Sequence, residues 1–175
     1  MTLGSHPQHQ DTCTSAPCFT SDHHHNMRAI VLLALVCMPL CLARKLSRCE
    51  TVKIFKTEGL DGLDGHSLGN YVCMAYWETK YKSHKVREAD VGKDYGIFQI
   101  NSFQWCDDGT AGGKNLCKMS CADLLNDDLK ASIACLKTIV ARDGLKAWDT
   151  WSKYCKGHNM KRWVKWCDFK TQCCV

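Results

Sequence analysis

Two carboxylates along this chain stand in opposed chemical surroundings. Glu78 ends the run Met74-Ala-Tyr-Trp-Glu78, so apolar and aromatic side chains precede it. Desolvation by such neighbours raises a carboxyl's pKa and keeps it protonated near neutral pH, as a general acid requires. Asp94 begins the run Asp94-Tyr-Gly-Ile-Phe-Gln-Ile-Asn-Ser102, where Gln99, Asn101 and Ser102 could supply hydrogen bonds that keep it ionised. One neutral and one charged carboxyl form the pair that glycosidic cleavage needs. The first protonates the departing oxygen; the second faces the oxocarbenium-like carbon. By itself the pair decides little, because most of the 18 Asp and Glu residues are expected to be solvated surface groups.

The elements that would hold these groups follow from periodicity and punctuation. Val52, Ile54 and Phe55 predict a helix over Cys49–Glu58, which Gly59 stops. Leu60-Asp-Gly-Leu-Asp-Gly is turn chemistry. Ser67 then reads as the N-cap of a second helix, Leu68–Thr79. That helix gathers Leu68, Val72, Ala75 and Tyr76 on one face and carries Glu78 in its last turn. Tyr95, Ile97, Phe98 and Ile100 read as one short strand among polar loops, with Asp94 at its start. A cysteine-rich loop covers Cys106–Cys121. A helix is expected over Asp127–Ala141 and a shorter one around Trp148–Tyr154. Helices, a small sheet, then helices again make an α+β arrangement with a cleft between two lobes.

Fourteen cysteines in 175 residues point to an oxidising compartment. Zinc binding is disfavoured: paired C-x-x-C knuckles are lacking, and Cys117 and Cys121 have no His at finger spacing. Residues 27–43, MRAIVLLALVCMPLCLA, explain the compartment as a signal peptide. Arg28 gives the positive start, and Cys41 and Ala43 the small residues at the cleavage site. The apolar run is too short for a comfortable membrane span. Residues 1–26, with the run His23-His24-His25, read as a solvated tail upstream of Met27, itself a candidate initiator. The expected organisation is therefore extension 1–26, signal 27–43, folded domain 44–169 and tail 170–175.

From residue 44 onward, 22 Lys and Arg stand against 16 Asp and Glu. This balance favours anionic surfaces such as bacterial envelopes, and by itself is compatible with a basic membrane-disrupting antimicrobial. No nucleic-acid motif accompanies the charge, and neither nucleic-acid binding nor stable membrane insertion is expected. Cys173 and Cys174 in the tail could bridge two chains, pair with each other or stay free; the domain itself is expected to be a monomer.

Eight cysteines, Cys49, Cys73, Cys106, Cys117, Cys121, Cys135, Cys155 and Cys167, are spaced 24, 33, 11, 4, 14, 20 and 12 residues apart. With SLGNYVC at 67–73, DYGIFQINS at 94–102, WC at 105–106 and KAWDTW at 146–151, this framework resembles the chicken-type lysozyme and α-lactalbumin family over residues 45–169. MAYWE and GIFQINSF are most similar to the mammalian lysozyme-like proteins of testis and sperm. Spacing alone leaves on the order of 100 connectivities open. The resemblance implies the pairs Cys49–Cys167, Cys73–Cys155, Cys106–Cys121 and Cys117–Cys135.

It also implies Glu78 as the acid and Asp94 as nucleophile or stabiliser, the division of labour for which lysozyme is the type case. Trp148 takes the place of a tryptophan that desolvates the acid. Asn101, Trp105 and Ala147 fall at sugar-binding positions, with Gln99 a further candidate. Trp105 could stack an indole face on a sugar or simply be a core residue. The implied activity is secreted, retaining hydrolysis of the β-1,4 bonds between N-acetylmuramic acid and N-acetylglucosamine in peptidoglycan, without a cofactor. The alternative is a weakly active or inactive glycan-binding relative serving reproduction, with the acrosome as its alternative location.

Departures from the family pattern sharpen these expectations. The calcium-binding relatives carry an Asp-rich loop. Here Asp127 and Asp128 are kept, but Asn126, Ala131 and Ser132 stand at the matching positions, so a metal is not expected. Gln104 replaces an aromatic residue before Trp105. Glu88 stands where an Asn usually supports the second carboxylate; its approach to Asp94 would oppose two like charges and weaken catalysis near neutral pH. One-residue deletions lie between Glu78 and Asp94 and before Gly144.

Overall fold

A computed structural model describes residues 45–167 of the chain. The expected extension and signal segment, and the tail cysteines, lie outside the described residues. Helix α1, Arg48–Thr57, opens on a reciprocal cap. Ser47 Oγ accepts from Glu50 N at 3.2 Å, and Glu50 Oε2 accepts from Ser47 N at 2.8 Å. This pairing satisfies two N–H groups that a helix start would otherwise leave orphaned. Val52 and Phe55 are its fully buried apolar residues.

Helix α2, Leu68–Thr79, is the centre of the molecule: ten of its twelve residues are buried. The expected apolar face is thus only part of what it hides. Ser67 holds the N-cap position, but its side chain does not cap the backbone. Asp61 Oδ1 accepts from Leu68 N at 3.0 Å instead, while Ser67 Oγ accepts from Asn70 Nδ2 at 3.2 Å. The turn-rich loop, which winds a short 3-10 turn at Leu63–Gly65, therefore delivers the cap. Gly69 lies against the Met160 carbonyl, where any Cβ would collide.

Three short strands, β1 (Val86–Glu88), β2 (Lys93–Tyr95) and β3 (Ile100–Asn101), form an antiparallel sheet in that order. Strand β1 answers no apolar signal, since all three of its residues are exposed. The single strand expected across Tyr95–Ile100 is broken. Gly96 and Gln99 both take left-handed backbone, at φ 72° and 50°. Gln99 N donates to Gly96 O at 3.1 Å, closing a turn that drops Ile97 and Phe98 into the core. Continuous apolar residues here mark a buried turn, where a strand would have alternated.

Helix α3, Lys130–Asp143, starts three residues later than its periodicity suggests. Leu129 sits at φ 59°, outside helical backbone, and Asp128 Oδ1 accepts from Lys130 N at 3.0 Å. Short helices α4 (Asp149–Tyr154) and α5 (Lys161–Val164) complete the helical lobe; α5, at four residues, is too short to show a period. Disulfides join Cys49 to Cys167, Cys73 to Cys155, Cys106 to Cys121 and Cys117 to Cys135. Among the described residues no helix is long and apolar enough to cross a membrane.

One core links these parts. The rings of Phe55 from α1 and Phe98 from the buried turn stack at 5.2 Å. Tyr71 donates its hydroxyl to Leu63 O at 2.7 Å, and Trp151 Nε1 donates to Asn70 Oδ1 at 3.0 Å. The packing therefore fixes the last turn of α2 relative to the sheet, and a cleft opens between them.

Candidate active site

Glu78 projects from the end of α2 into a cleft of about 260 Å³, and Asp94 lines the same cleft from the middle of β2. Helix α2 ends immediately beyond Glu78, because Lys80 and Tyr81 both adopt left-handed backbone, at φ 56° and 65°. The Glu78 residue is only 8% exposed. Burial holds its carboxyl above the usual glutamate range; a hydrogen bond with Thr150 and the Arg87 and Lys85 charges oppose the rise, and the Asp94 charge adds to it. Burial is thus the largest influence on this carboxyl, and it favours the neutral form.

Asp94 is built differently. The sheet register sets it between Arg87 on β1 and Asn101 on β3. Arg87 Nη2 donates to Asp94 Oδ2 at 2.9 Å, and Asn101 Nδ2 donates to Oδ1 at 3.0 Å. The Asn101 amide also donates to Val91 O at 3.1 Å, which pins it to the hairpin. Each oxygen of Asp94 thus has a donor fixed by strand pairing, and the carboxylate is held in one orientation.

Two of the three hydrogen-bond donors expected for Asp94 are used elsewhere. Gln99 lines the cleft, but its amide donates to Lys85 O at 3.1 Å and Gly96 O at 2.9 Å, bracing the buried turn. Ser102 Oγ accepts from Lys93 N at 2.9 Å. Glu88 does not make the approach to Asp94 that would have opposed two like charges. Glu88 pairs with Lys93 in the register, and Lys93 Nζ lies 3.3 Å from its carboxylate. Neighbouring residues on a strand point to opposite faces, so Arg87 and not Glu88 meets Asp94.

Trp105, Ala147 and Trp148 line the cleft with the two carboxylates. Trp148 Nε1 donates to Phe98 O at 2.9 Å, which ties the wall of the cleft to the buried turn. Trp105 is 8% exposed: its body is core and its remaining surface lines the cleft. A second recess continues past it between Gln104, Asp143, Lys146 and Ala147. The Arg142 guanidinium lies 5.5 Å from the Trp105 ring.

Sequence reasoning missed Arg87 and Thr150. Arg87 is fixed by the strand register: Gly92 at φ 73° and the bond from Ala89 N to Gly92 O make Ala89–Gly92 a hairpin turn, which sets Arg87 against Asp94. Thr150 reaches Glu78 through tertiary packing and carries no local signal.

The calcium-loop positions serve other partners. Asp127 Oδ1 accepts from Ser83 Oγ and lies 3.1 Å from His84 Nε2, and Ser132 Oγ donates to Leu124 O at 2.9 Å.

The model of the C-type lysozyme/alpha-lactalbumin family matches residues 44–167. The lysozyme C of Dromaius novaehollandiae is 41% identical over 145 residues, which cover 81% of this chain and 99% of that protein. The lysozyme C II of Oncorhynchus mykiss is 42% identical over 144 residues, 81% of this chain and 99% of the relative. The human sperm acrosome-associated protein 5 is 40% identical over 145 residues, 82% of this chain and 91% of its own length.

Proposed function

The chain belongs to the C-type lysozyme/alpha-lactalbumin family, and from that premise we propose that it is a secreted, retaining glycoside hydrolase of amino-sugar polymers. Its substrate is peptidoglycan, cut at the β-1,4 bond between N-acetylmuramic acid and N-acetylglucosamine at bacterial surfaces. The observation that carries this reading is the pairing in one cleft of a buried Glu78, whose pKa is raised, with an Asp94 held by Arg87 and Asn101.

Protonated Glu78 gives its proton to the glycosidic oxygen as the bond to the anomeric carbon breaks. Asp94 faces the positive charge that develops on that carbon and stabilises or captures it from the opposite side. Glu78, now a carboxylate, takes a proton from the incoming water, which attacks the face the leaving group vacated. Trp105, Asn101, Ala147 and Trp148 supply the wall against which the sugar rings lie. Turnover of a defined peptidoglycan fragment tests the assignment: Glu78→Gln should lose at least about 100-fold in rate. Lysis by that variant at the wild-type rate refutes it.

A second reading is a glycan-binding protein with little turnover, acting in reproduction. Two observations favour it: the Arg87 ion pair occupies one Asp94 oxygen, and Gln104 stands where a second aromatic platform is usual. The likeness to a sperm acrosome-associated protein is in keeping with that setting. Binding of amino-sugar oligomers without cleavage from about pH 4 to about pH 8 would select it.

A further inference from the structure

We propose that Arg87 is a specificity determinant of the cleft: it receives a free carboxylate on the sugar bound beside Asp94, so an acidic amino-sugar chain binds in preference to its neutral amide. The inference rests on the reading of this cleft as the glycan site.

Of the described residues that line the cleft, Arg87 alone is cationic, against Glu78, Asp94 and Asp149. A cleft carrying Asp94 and Asp149 without a cation would repel an acidic sugar. Strand pairing places the Arg87 guanidinium against Asp94, and its side chain is still 51% exposed. A guanidinium carries five N–H donors in a planar fork. Among the described residues Arg87 uses it for a single hydrogen bond, at 2.9 Å to Asp94 Oδ2. The remaining donors lie beside the carboxylate that faces the reacting sugar, and a fork in that place suits a second carboxylate.

Arg87 also acts on Glu78, whose proton affinity its charge lowers. The guanidinium therefore stands within electrostatic reach of both carboxylates. Two cations farther along are less suited. Lys146 borders the recess beyond Trp105, and Arg142 is paired with Asp143 at 3.5 Å.

Calorimetric titration of the Glu78→Gln chain tests this without relying on turnover. The probes are two matched tetrasaccharides of alternating N-acetylglucosamine and N-acetylmuramic acid, one with free lactyl carboxylates and one with those groups as methylamides. One charge-assisted hydrogen bond, discounted for the exposure of Arg87, predicts roughly tenfold tighter binding of the free acid at low salt. Arg87→Gln in the same background should remove that preference, and Arg87→Lys should restore part of it. Equal affinities in the parent, or a preference that survives Arg87→Gln, would overturn the proposal. A parallel fall of both affinities would give Arg87 a merely structural role and overturn it too. If neither probe binds, this inference falls together with the glycan-site reading. Wild-type protein that shows the preference but no turnover leaves this inference standing and removes only the hydrolase.

Discussion

Replacing Trp148 by Phe separates the structural from the catalytic consequences of the cleft wall. The indole N–H is a donor to the buried Phe98 carbonyl at 2.9 Å, and phenylalanine has none to offer. Leaving that carbonyl unsatisfied costs ~1–3 kcal/mol. The smaller ring leaves a void in a residue that is 7% exposed, adding ~1–2 kcal/mol. Denaturant unfolding with the disulfides intact should register a total loss of ~2–5 kcal/mol. Trp148 also shields the cleft into which Glu78 points, so admitting water should lower the Glu78 pKa toward the ordinary glutamate range. The alkaline limb of the rate profile, and the titration of the Glu78 carboxyl followed by NMR, should both move to lower pH.

Trp151→Phe is the matched control. Trp151 is 6% exposed and donates to Asn70 Oδ1 at 3.0 Å. It should lose similar stability with no movement of the Glu78 titration. Movement of that titration to the same extent in both variants, or in neither, would refute Trp148 as the shield of the acid.

Glu78→Gln changes stability with a definite sign. Because burial raises the folded-state pKa, wild-type protein loses stability as pH rises through that pKa. The neutral variant should therefore be the more stable of the two at alkaline pH. The difference should vanish below about pH 4, as urea midpoints measured across pH will show. Removing the Cys73–Cys155 bridge, which spans 82 residues, should cost ~3–5 kcal/mol and lower the thermal midpoint in calorimetry. Gly96→Val places a side chain against the Leu124 carbonyl at a φ of 72°. It should destabilise the buried turn by ~2–4 kcal/mol and raise hydrogen exchange at Ile97 and Phe98; unchanged protection there would count against the turn as a rigid support.

Much of this protein is decided locally. The α1 cap forms within four residues, Ser47 to Glu50, and α2 has the span its periodicity predicts. The apolar run before Glu78 pointed to its burial, but the cleft around it is lined by residues distant in the chain, among them Ile139 and Trp148. Properties set by partners distant in the chain were not locally legible. The strand expected over Tyr95–Ile100 is a turn because the core takes Ile97 and Phe98 and because Gly96 lies tight against Leu124, 28 residues on. The cap of α2 comes from Asp61 across a loop, and the hydrogen bond on Glu78 from Thr150. Whether Asp94 meets Glu88 or Arg87 depends on a one-residue choice of register. Residue types cannot make that choice, since a slip of one position turns every side chain on a strand to the other face. Local propensity and apolar pattern therefore determined which segments exist. Strand pairing and long-range packing alone decided which charge stands beside the second carboxylate.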